Sequence, residues 1–323
     1  MKAVVSRRYG SPDVLQFEEV PKPTPGDDEV LVKVHAASVN PLDYHFLRGS
    51  PFFLRLAGNG LLRPKNIILG ADVAGRVERI GGNVSRFQPG DEVFGDISQS
   101  GMGAFAEYVC AREDLLAKKP AAGSFEQAAA APVAALTALQ GLRQKGRVQS
   151  GQKVLIHGAS GGVGSFAVQI AKSLGAEVTG VCSTRNLDAV RSMGADHAID
   201  YTKEDFSKNG ELYDLIFAVN GFRSIFDYKR ALTPQGISVC AGGSAVQLFQ
   251  AMVIGPWLSM TGNNQMGVIV AKQNKQDLET IAGFLATGEV LPVIDRRYPL
   301  REVADAIRYL EEGHARGKIV ITM

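Results

Sequence analysis

Cysteine is scarce in this chain: Cys110, Cys182 and Cys240 are widely spaced and odd in number among 323 residues. No disulfide framework and no Cys-x-x-Cys metal cluster is available, so a reducing compartment is expected. Charge of one sign is missing too. Lys and Arg total 35 against 33 Asp and Glu, a net charge of +2 with no basic block, which argues against nucleic acid as the main partner. No apolar run is long enough to span a bilayer; the longest, Val246 to Met260, is broken by Gln250 and by Gly255-Pro256. The opening residues, MKAVVSRRYG, run straight into a strand pattern and do not read as a signal peptide. A cytoplasmic protein without integral membrane insertion is the expectation. The five histidines, His35, His45, His157, His197 and His314, show no ligand spacing, so no metal site is expected.

What the chain does have is glycine, concentrated usefully between Lys153 and Asn186. A short apolar run, Val154-Leu155-Ile156, reads as a buried strand. Gly158, Gly161, Gly162 and Gly164 follow, then an amphipathic run from Phe166 to Leu174 that stops at Gly175. A second apolar strand, Val178 to Cys182, completes the order strand, tight turn, helix, strand, which is the context of a dinucleotide fingerprint. A diphosphate lies against backbone N–H groups at a helix N-terminus, where unpaired donors and the helix dipole favour negative charge. Side chains at Gly161 or Gly162 would hold it away, and Ser160 and Val163 flank the same turn. Ala159 stands in the first glycine slot, so the motif is a variant.

The end of the second strand bears on which dinucleotide binds. An NAD site usually places Asp or Glu there to accept from the ribose 2′-hydroxyl. Here the slot holds Cys182 or Ser183, followed by Thr184, Arg185 and Asn186, with no carboxylate before Asp188. Hydroxyls with a guanidinium suit a 2′-phosphate, since charge-assisted hydrogen bonds to Arg are strong. The expected cofactor is NADPH.

Residues 1 to about 120 carry short strand patterns separated by Pro/Gly turns, as in a compact, partly closed barrel. From Ser124 the texture turns helical, and strand ends near Asp200, Val219, Cys240 and Ala271 continue a parallel sheet. The expected organisation is a first domain of residues 1–123 and 272–323 and a dinucleotide-binding domain of residues 124–271.

This order of parts resembles the medium-chain dehydrogenase/reductase superfamily, specifically its zinc-free quinone oxidoreductase branch, including bacterial and chloroplast-type homologues. The resemblance rests on Ser38-Val39-Asn40-Pro41-Leu42-Asp43, Leu69-Gly70-Ala71-Asp72-Val73-Ala74-Gly75, Gln88-Pro89-Gly90-Asp91-Glu92-Val93, Ala135 to Leu139, Ala159 to Gly164, Met193 to Asp196 and the Gly313 to Lys318 tail. It implies an α/β chain: a Rossmann doubly wound parallel sheet plus a GroES-like, β-rich, partly closed barrel. Matched to the zinc-binding members, the catalytic metal positions are Asn40, Ala71 beside Asp72, and about Val133, a set that cannot make a zinc shell.

Without a Lewis acid, reducing a polarised acceptor is easier than oxidising an alcohol. The resemblance therefore implies hydride transfer from NADPH to a quinone or an α,β-unsaturated carbonyl. It implies Asn40 facing nicotinamide and substrate, Thr137 near the nicotinamide amide, and Tyr44 or His45 as hydrogen-bond donors to the substrate. Asp43 is expected to order local backbone. Further cofactor contacts expected from fold position are Ser160, Gly161, Gly162, Val163, Ser183, Arg185, Tyr201, Asn220, Gly242 and Gly243, with Lys318 reaching a phosphate. Phe52 and Phe53 of an apolar loop, with Trp257, suggest a hydrophobic substrate site. Two other readings stand beside this one: an enoyl-thioester reductase of the same superfamily, and a non-catalytic NADPH-binding regulatory or structural protein. The apolar segment Gly267 to Val270 is expected to be an edge strand, making a homodimer.

Overall fold

The computed structural model describes residues 1–52, 55–56, 60–221, 223–243 and 245–323. The chain forms two compact units, one of residues 1–133, 273–288 and 292–323, the other of residues 134–272 and 289–291.

The first unit begins with β1 (Lys2–Val5), β2 (Gln16–Glu19), β3 (Glu29–Val39), β4 (Asp72–Ile80), β5 (Glu92–Asp96), β6 (Tyr108–Arg112) and β7 (Leu116–Lys118). The second unit supplies β8 (Lys153–His157), β9 (Glu177–Cys182), β10 (His197–Asp200), β11 (Tyr213–Ala218), β12 (Leu232–Cys240) and β13 (Gln265–Val268). The chain then returns to the first unit with β14 (Ile294–Pro299) and β15 (Lys318–Thr322).

In the first unit β3 is the central strand. It pairs antiparallel with β4, β6 and β15, and the sheet order is β14-β15-β3-β4-β5-β7. Val30, Val32 and Val34 of β3 enter one core with Val73, Phe105, Ile319 and Ile321, closed by Val303 and Ile307 of the helix Val303–Glu311. Each such buried aliphatic side chain contributes on the order of 1.5–3 kcal/mol. After β3 the chain turns into the helix Pro41–Arg48, with Pro at its start and Gly49 ending it at φ +57°. The short helix Phe125–Ala129 also belongs to this unit, although the change of texture at Ser124 groups it with the second domain. The helix packs on β3 and β4, with Phe125 stacked on His35 of β3, and its alanine-rich sequence says nothing about which sheet it covers.

The second unit is an open sheet of parallel strands in the order β10-β9-β8-β11-β12-β13. Counting from β8, that is 3-2-1-4-5-6, the doubly wound order expected from the glycine motif. The helix Gly162–Ser173 follows β8 and buries Phe166, Ala167, Val168, Ile170 and Ala171, the face that the sequence spacing marks as apolar. Gly164 is where helix and strand come closest: a Cβ there would lie 2.0 Å from the Gly158 carbonyl oxygen.

β14, with sequence IDRRYP, gave no strand signal. Among the described residues it pairs only with β15 at the sheet edge, and it exposes Arg296 and Arg297, so no apolar alternation is required of it. The apolar loop Ser50 to Arg63 lies partly outside the described residues.

Two glycine replacements test this packing. Gly164→Ala is expected to cost several kcal/mol or abolish folding of the second unit, because the clash is with backbone. Gly283→Ala, on the exposed face of the helix Lys275–Thr287 with nothing within 4 Å of the new methyl, is expected to stabilise by about 0.5–1 kcal/mol. Denaturant unfolding of the two variants beside the parent protein checks both.

Candidate functional site

In the second unit the strand order reverses between β8 and β11, and open parallel sheets bind ligands beyond their carboxyl ends at such a reversal. β8 runs into Gly158, which has φ +90° and sits so near the end of β11 that a Cβ would lie 3.1 Å from the Asn220 nitrogen. The Gly158 and Ala159 nitrogens donate to the Val181 oxygen at 3.1 Å, tying the turn to β9. The helix Gly162–Ser173 then starts with Gly161 as its N-cap and no capping side chain. Above Gly161 the nearest atom to an added Cβ would be the Gly158 oxygen at 3.6 Å. An uncapped helix start with bare backbone fits a diphosphate, and Ser160, Gly161, Gly162 and Val163 all lie on it.

At the end of β9, Ser183 is half-buried and Arg185 exposed. Two residues that the sequence reading missed organise this corner. Asn186 is buried and its Nδ2 donates to Ser160 Oγ at 2.9 Å and Ser183 Oγ at 3.2 Å, joining the glycine turn to the end of β9. Asp200 is the other. Along the sequence no carboxylate follows β9 before Asp188, but β10 sets Asp200 in register with Cys182. It accepts from Thr184 Oγ1 and from Thr202 nitrogen (3.0 Å) and Oγ1 (2.7 Å). These hydrogen bonds, Thr184's first, hold its carboxyl down to about 2. The Thr184 hydroxyl thus points its proton at Asp200. Only a cross-strand register could have revealed this.

Asn220 and Tyr201 are exposed beyond the ends of β11 and β10. Gly242 and Gly243 follow β12, and Gly243 bridges to Gly221. Thr137 lies half-buried on the helix Pro132–Gln140. Beneath these loops sits a buried network. Gln247 Nε2 donates to the Tyr228 hydroxyl at 2.9 Å, which leaves the Tyr228 proton for His157 Nδ1, also at 2.9 Å. Burial, and secondarily the charge of Arg223, pushes the His157 imidazole down to about 4, and burial raises the Tyr228 hydroxyl. Both are neutral at ordinary pH.

The first unit holds a cluster of a different kind. Ser38, Asn40, Asp43, Asp72 and Lys318 are all buried to 3% exposure or less. Asp72 Oδ2 accepts from Ser38 Oγ (2.6 Å), Asn40 Nδ2 (2.9 Å) and Lys318 Nζ (3.2 Å), while Oδ1 accepts from the Val133 nitrogen (2.9 Å). Lys318 Nζ also donates to Asn40 Oδ1. Asp43 Oδ2 accepts from the Asn40 nitrogen at 2.7 Å and Oδ1 from the Gly70 nitrogen at 3.1 Å, so it orders backbone.

One expectation is corrected here. In place of a phosphate contact, Lys318 makes a buried ion pair with Asp72, because β15 lies against β3 and delivers the side chain beside Asn40. The Asn40 carboxamide, expected to face nicotinamide and substrate, is engaged within this cluster: its Nδ2 goes to Asp72 and to Ser38 oxygen (3.4 Å), and its Oδ1 is met by Lys318. Tyr44 and His45 lie half-buried on the helix Pro41–Arg48, their rings 4.4 Å apart. His45 Nδ1 donates to Ser50 oxygen at 2.9 Å, so in the neutral ring Nε2 is an acceptor. Burial raises the Tyr44 hydroxyl above its usual range and keeps it protonated. Phe52 and Trp257 are 59% and 60% exposed, and Phe53 lies outside the described residues.

These features define a nicotinamide-dinucleotide fold with a separate β-rich unit, of the alcohol-dehydrogenase type. Residues 26–121 match the family described as alcohol dehydrogenase GroES-like domain, and residues 193–321 that described as zinc-binding dehydrogenase. The chain is 36% identical to 2-methylene-furan-3-one reductase of Solanum lycopersicum, over 99% of this chain and 79% of that protein. It is 34% identical to the chloroplastic NADPH-dependent alkenal/one oxidoreductase of Arabidopsis thaliana, with coverage of 99% and 79%. Among solved structures, the quinone oxidoreductase from Coxiella burnetii superposes with a TM-score of 0.89 at 32% identity, covering 100% of this chain and 99% of that one. The chain belongs to the medium-chain dehydrogenase/reductase superfamily, in its quinone oxidoreductase branch.

The zinc in the family description does not fit this residue set. Among the described residues no group of three or more His, Cys, Asp or Glu could hold a metal ion. The Asn40–Asp72 cluster already contains a cation, the Lys318 ammonium, which a zinc ion would have to displace.

His157 gives a pH prediction. Its folded value lies below the ordinary imidazole value, so between about pH 6.5 and pH 4 the unfolded chain binds a proton that the folded chain refuses. Stability therefore falls as pH drops through that window, by on the order of 3 kcal/mol from this group. Unfolding of His157→Asn at pH 7 and pH 4.5 is expected to show a smaller acid loss than the parent.

Proposed function

We propose that the protein is an NADPH-dependent reductase that delivers hydride to a quinone or to the β-carbon of an α,β-unsaturated carbonyl, without a metal. The observation that carries this reading is the open turn at Gly161–Val163 followed by a β9 end bearing Ser183 and Arg185. The relatives named for enone and alkenal reduction support the substrate class.

NADPH supplies the hydride when bound; the chain's residues supply placement. The backbone N–H groups of Gly162 and Val163 hold the diphosphate. Ser183 and Arg185 take the 2′-phosphate, and Tyr201 lies against the adenine edge. Asn220, Gly242, Gly243 and Thr137 bound the nicotinamide end. Tyr44, kept protonated, donates to the substrate oxygen as negative charge develops there, a stabilisation worth several kcal/mol when the donor is pre-placed. His45, with Nδ1 committed to Ser50, donates only when its ring is protonated. Phe52 and Trp257 offer exposed aromatic surface for a hydrophobic acceptor.

The same reading includes a homodimer and a cytoplasmic location. β13 is the edge of its sheet, and Val270 beyond it is 81% exposed, which supports pairing with a second copy. Three free cysteines support a reducing compartment.

Purified protein is expected to oxidise NADPH, followed by its absorbance, in the presence of a quinone, an alkenal or a long-chain enone. Tight NADPH binding with no turnover on any of them would support a non-catalytic binding protein instead. Arg185→Glu should lower the preference for NADPH over NADH by at least about tenfold; an unaltered preference would remove Arg185 from the phosphate site. Tyr44→Phe should lower kcat by about 100-fold, whereas an unchanged kcat would exclude its hydroxyl as donor.

A further inference from the structure

The geometry points to Lys318 as a positioning residue: by holding the Asn40 carboxamide against Asp72, it fixes the start of the helix that presents Tyr44 and His45. This rests on the proposed role of Tyr44, and its test separates the two.

A carboxamide can sit in two orientations differing by a flip. Beside Asn40 stand an ammonium, which only donates, and a carboxylate, which only accepts. Flipped, the amide would turn its NH₂ toward Lys318 and its oxygen toward Asp72, losing both contacts. The Lys318–Asp72 pair therefore admits one orientation. Asn40 is also the residue from which the helix Pro41–Arg48 starts, and its backbone nitrogen is held by Asp43 of that helix. Lys318 comes from the last strand of the chain, 278 residues away, so this corner is finished only when β15 docks on β3.

The charges around the ammonium make its removal legible. Three buried carboxylates face this corner: Asp72 of β4, Asp43 of the helix, and Asp96 of β5, which stands in register with Asp72. Burial first, with the charge of Asp72 adding to it, pushes Asp43 up to about 7 and Asp96 up to about 6. Lys318 is the ammonium in the cluster. A chain lacking it keeps these buried acids without that countercharge, and loses its native arrangement as pH rises and Asp43 and Asp96 ionise.

The test uses Lys318→Met, Lys318→Arg and the charge-balanced pair Asp72→Asn with Lys318→Met in the full-length protein. Lys318→Met is expected to lower kcat about 10–100-fold with little change in KM for NADPH. Its unfolding midpoint and activity should fall more steeply than the parent's between pH 5 and pH 8, and hydrogen exchange should rise over residues 40–48. Lys318→Arg should recover part of kcat. The double variant, which removes the paired charges together, should recover part of the stability but not kcat, since no ammonium then selects the orientation of Asn40. Recovery of kcat in the double variant, or unchanged exchange over residues 40–48 in Lys318→Met, would overturn the assignment. If the parent protein reduces no quinone or enone, the functional reading fails alone, because the exchange and pH measurements on Lys318→Met still decide the positioning role.

Discussion

A wholly buried carboxylate has to be answered on every side, and the first unit is arranged around answering Asp72. Its four hydrogen bonds come from Ser38 and Asn40 at the end of β3, from Lys318 at the start of β15, and from the Val133 nitrogen. Three separated stretches of chain must meet before the charge is tolerable, since an unpaired ion in that environment costs several kcal/mol. The pair is therefore better read as a device for specifying where those stretches sit than as a source of stability. Its consequence for function is that Asn40 is held rather than held ready, and the helix carrying Tyr44 starts from a fixed point.

The second unit solves a different problem, with backbone rather than side chains. Its turn must let β8, the helix after it and the end of β11 approach within van der Waals contact while leaving N–H groups uncovered. Gly164 answers the first demand and Gly161 the second. The polar residues around the turn then act on one another: Asn186 ties Ser160 to Ser183, Asp200 claims the Thr184 hydroxyl, and the neutral His157–Tyr228–Gln247 network supports the loops at the other strand ends. Hydroxyls that look equivalent along the chain are thereby given unequal tasks.

The legible parts of the sequence were those in which a local pattern and its physical cause coincide. The glycine turn announced itself because only glycine permits that approach, and the strand before it because the continuous apolar run Val154-Leu155-Ile156 marks a strand covered on both faces. β14 was illegible because an edge strand needs no such pattern. Asn40 and Lys318 were both singled out, but each for a contact with a ligand. What each touches is the other, and nothing in a spacing of 278 residues says so.

By itself the sequence determined the parallel dinucleotide-binding unit, its open turn, the lack of a residue set suited to zinc, and the order of parts that places the chain in its superfamily. These follow from residue types at short spacing, where chemistry and conformation are nearly the same statement. Only the tertiary structure decided the partners of charge: Asp200 beside Thr184, Lys318 beside Asp72, and Asn40 turned one way rather than the other. Charges interact through space, so a strand register or the docking of the last strand sets their neighbours, and neither is written in any one stretch of chain.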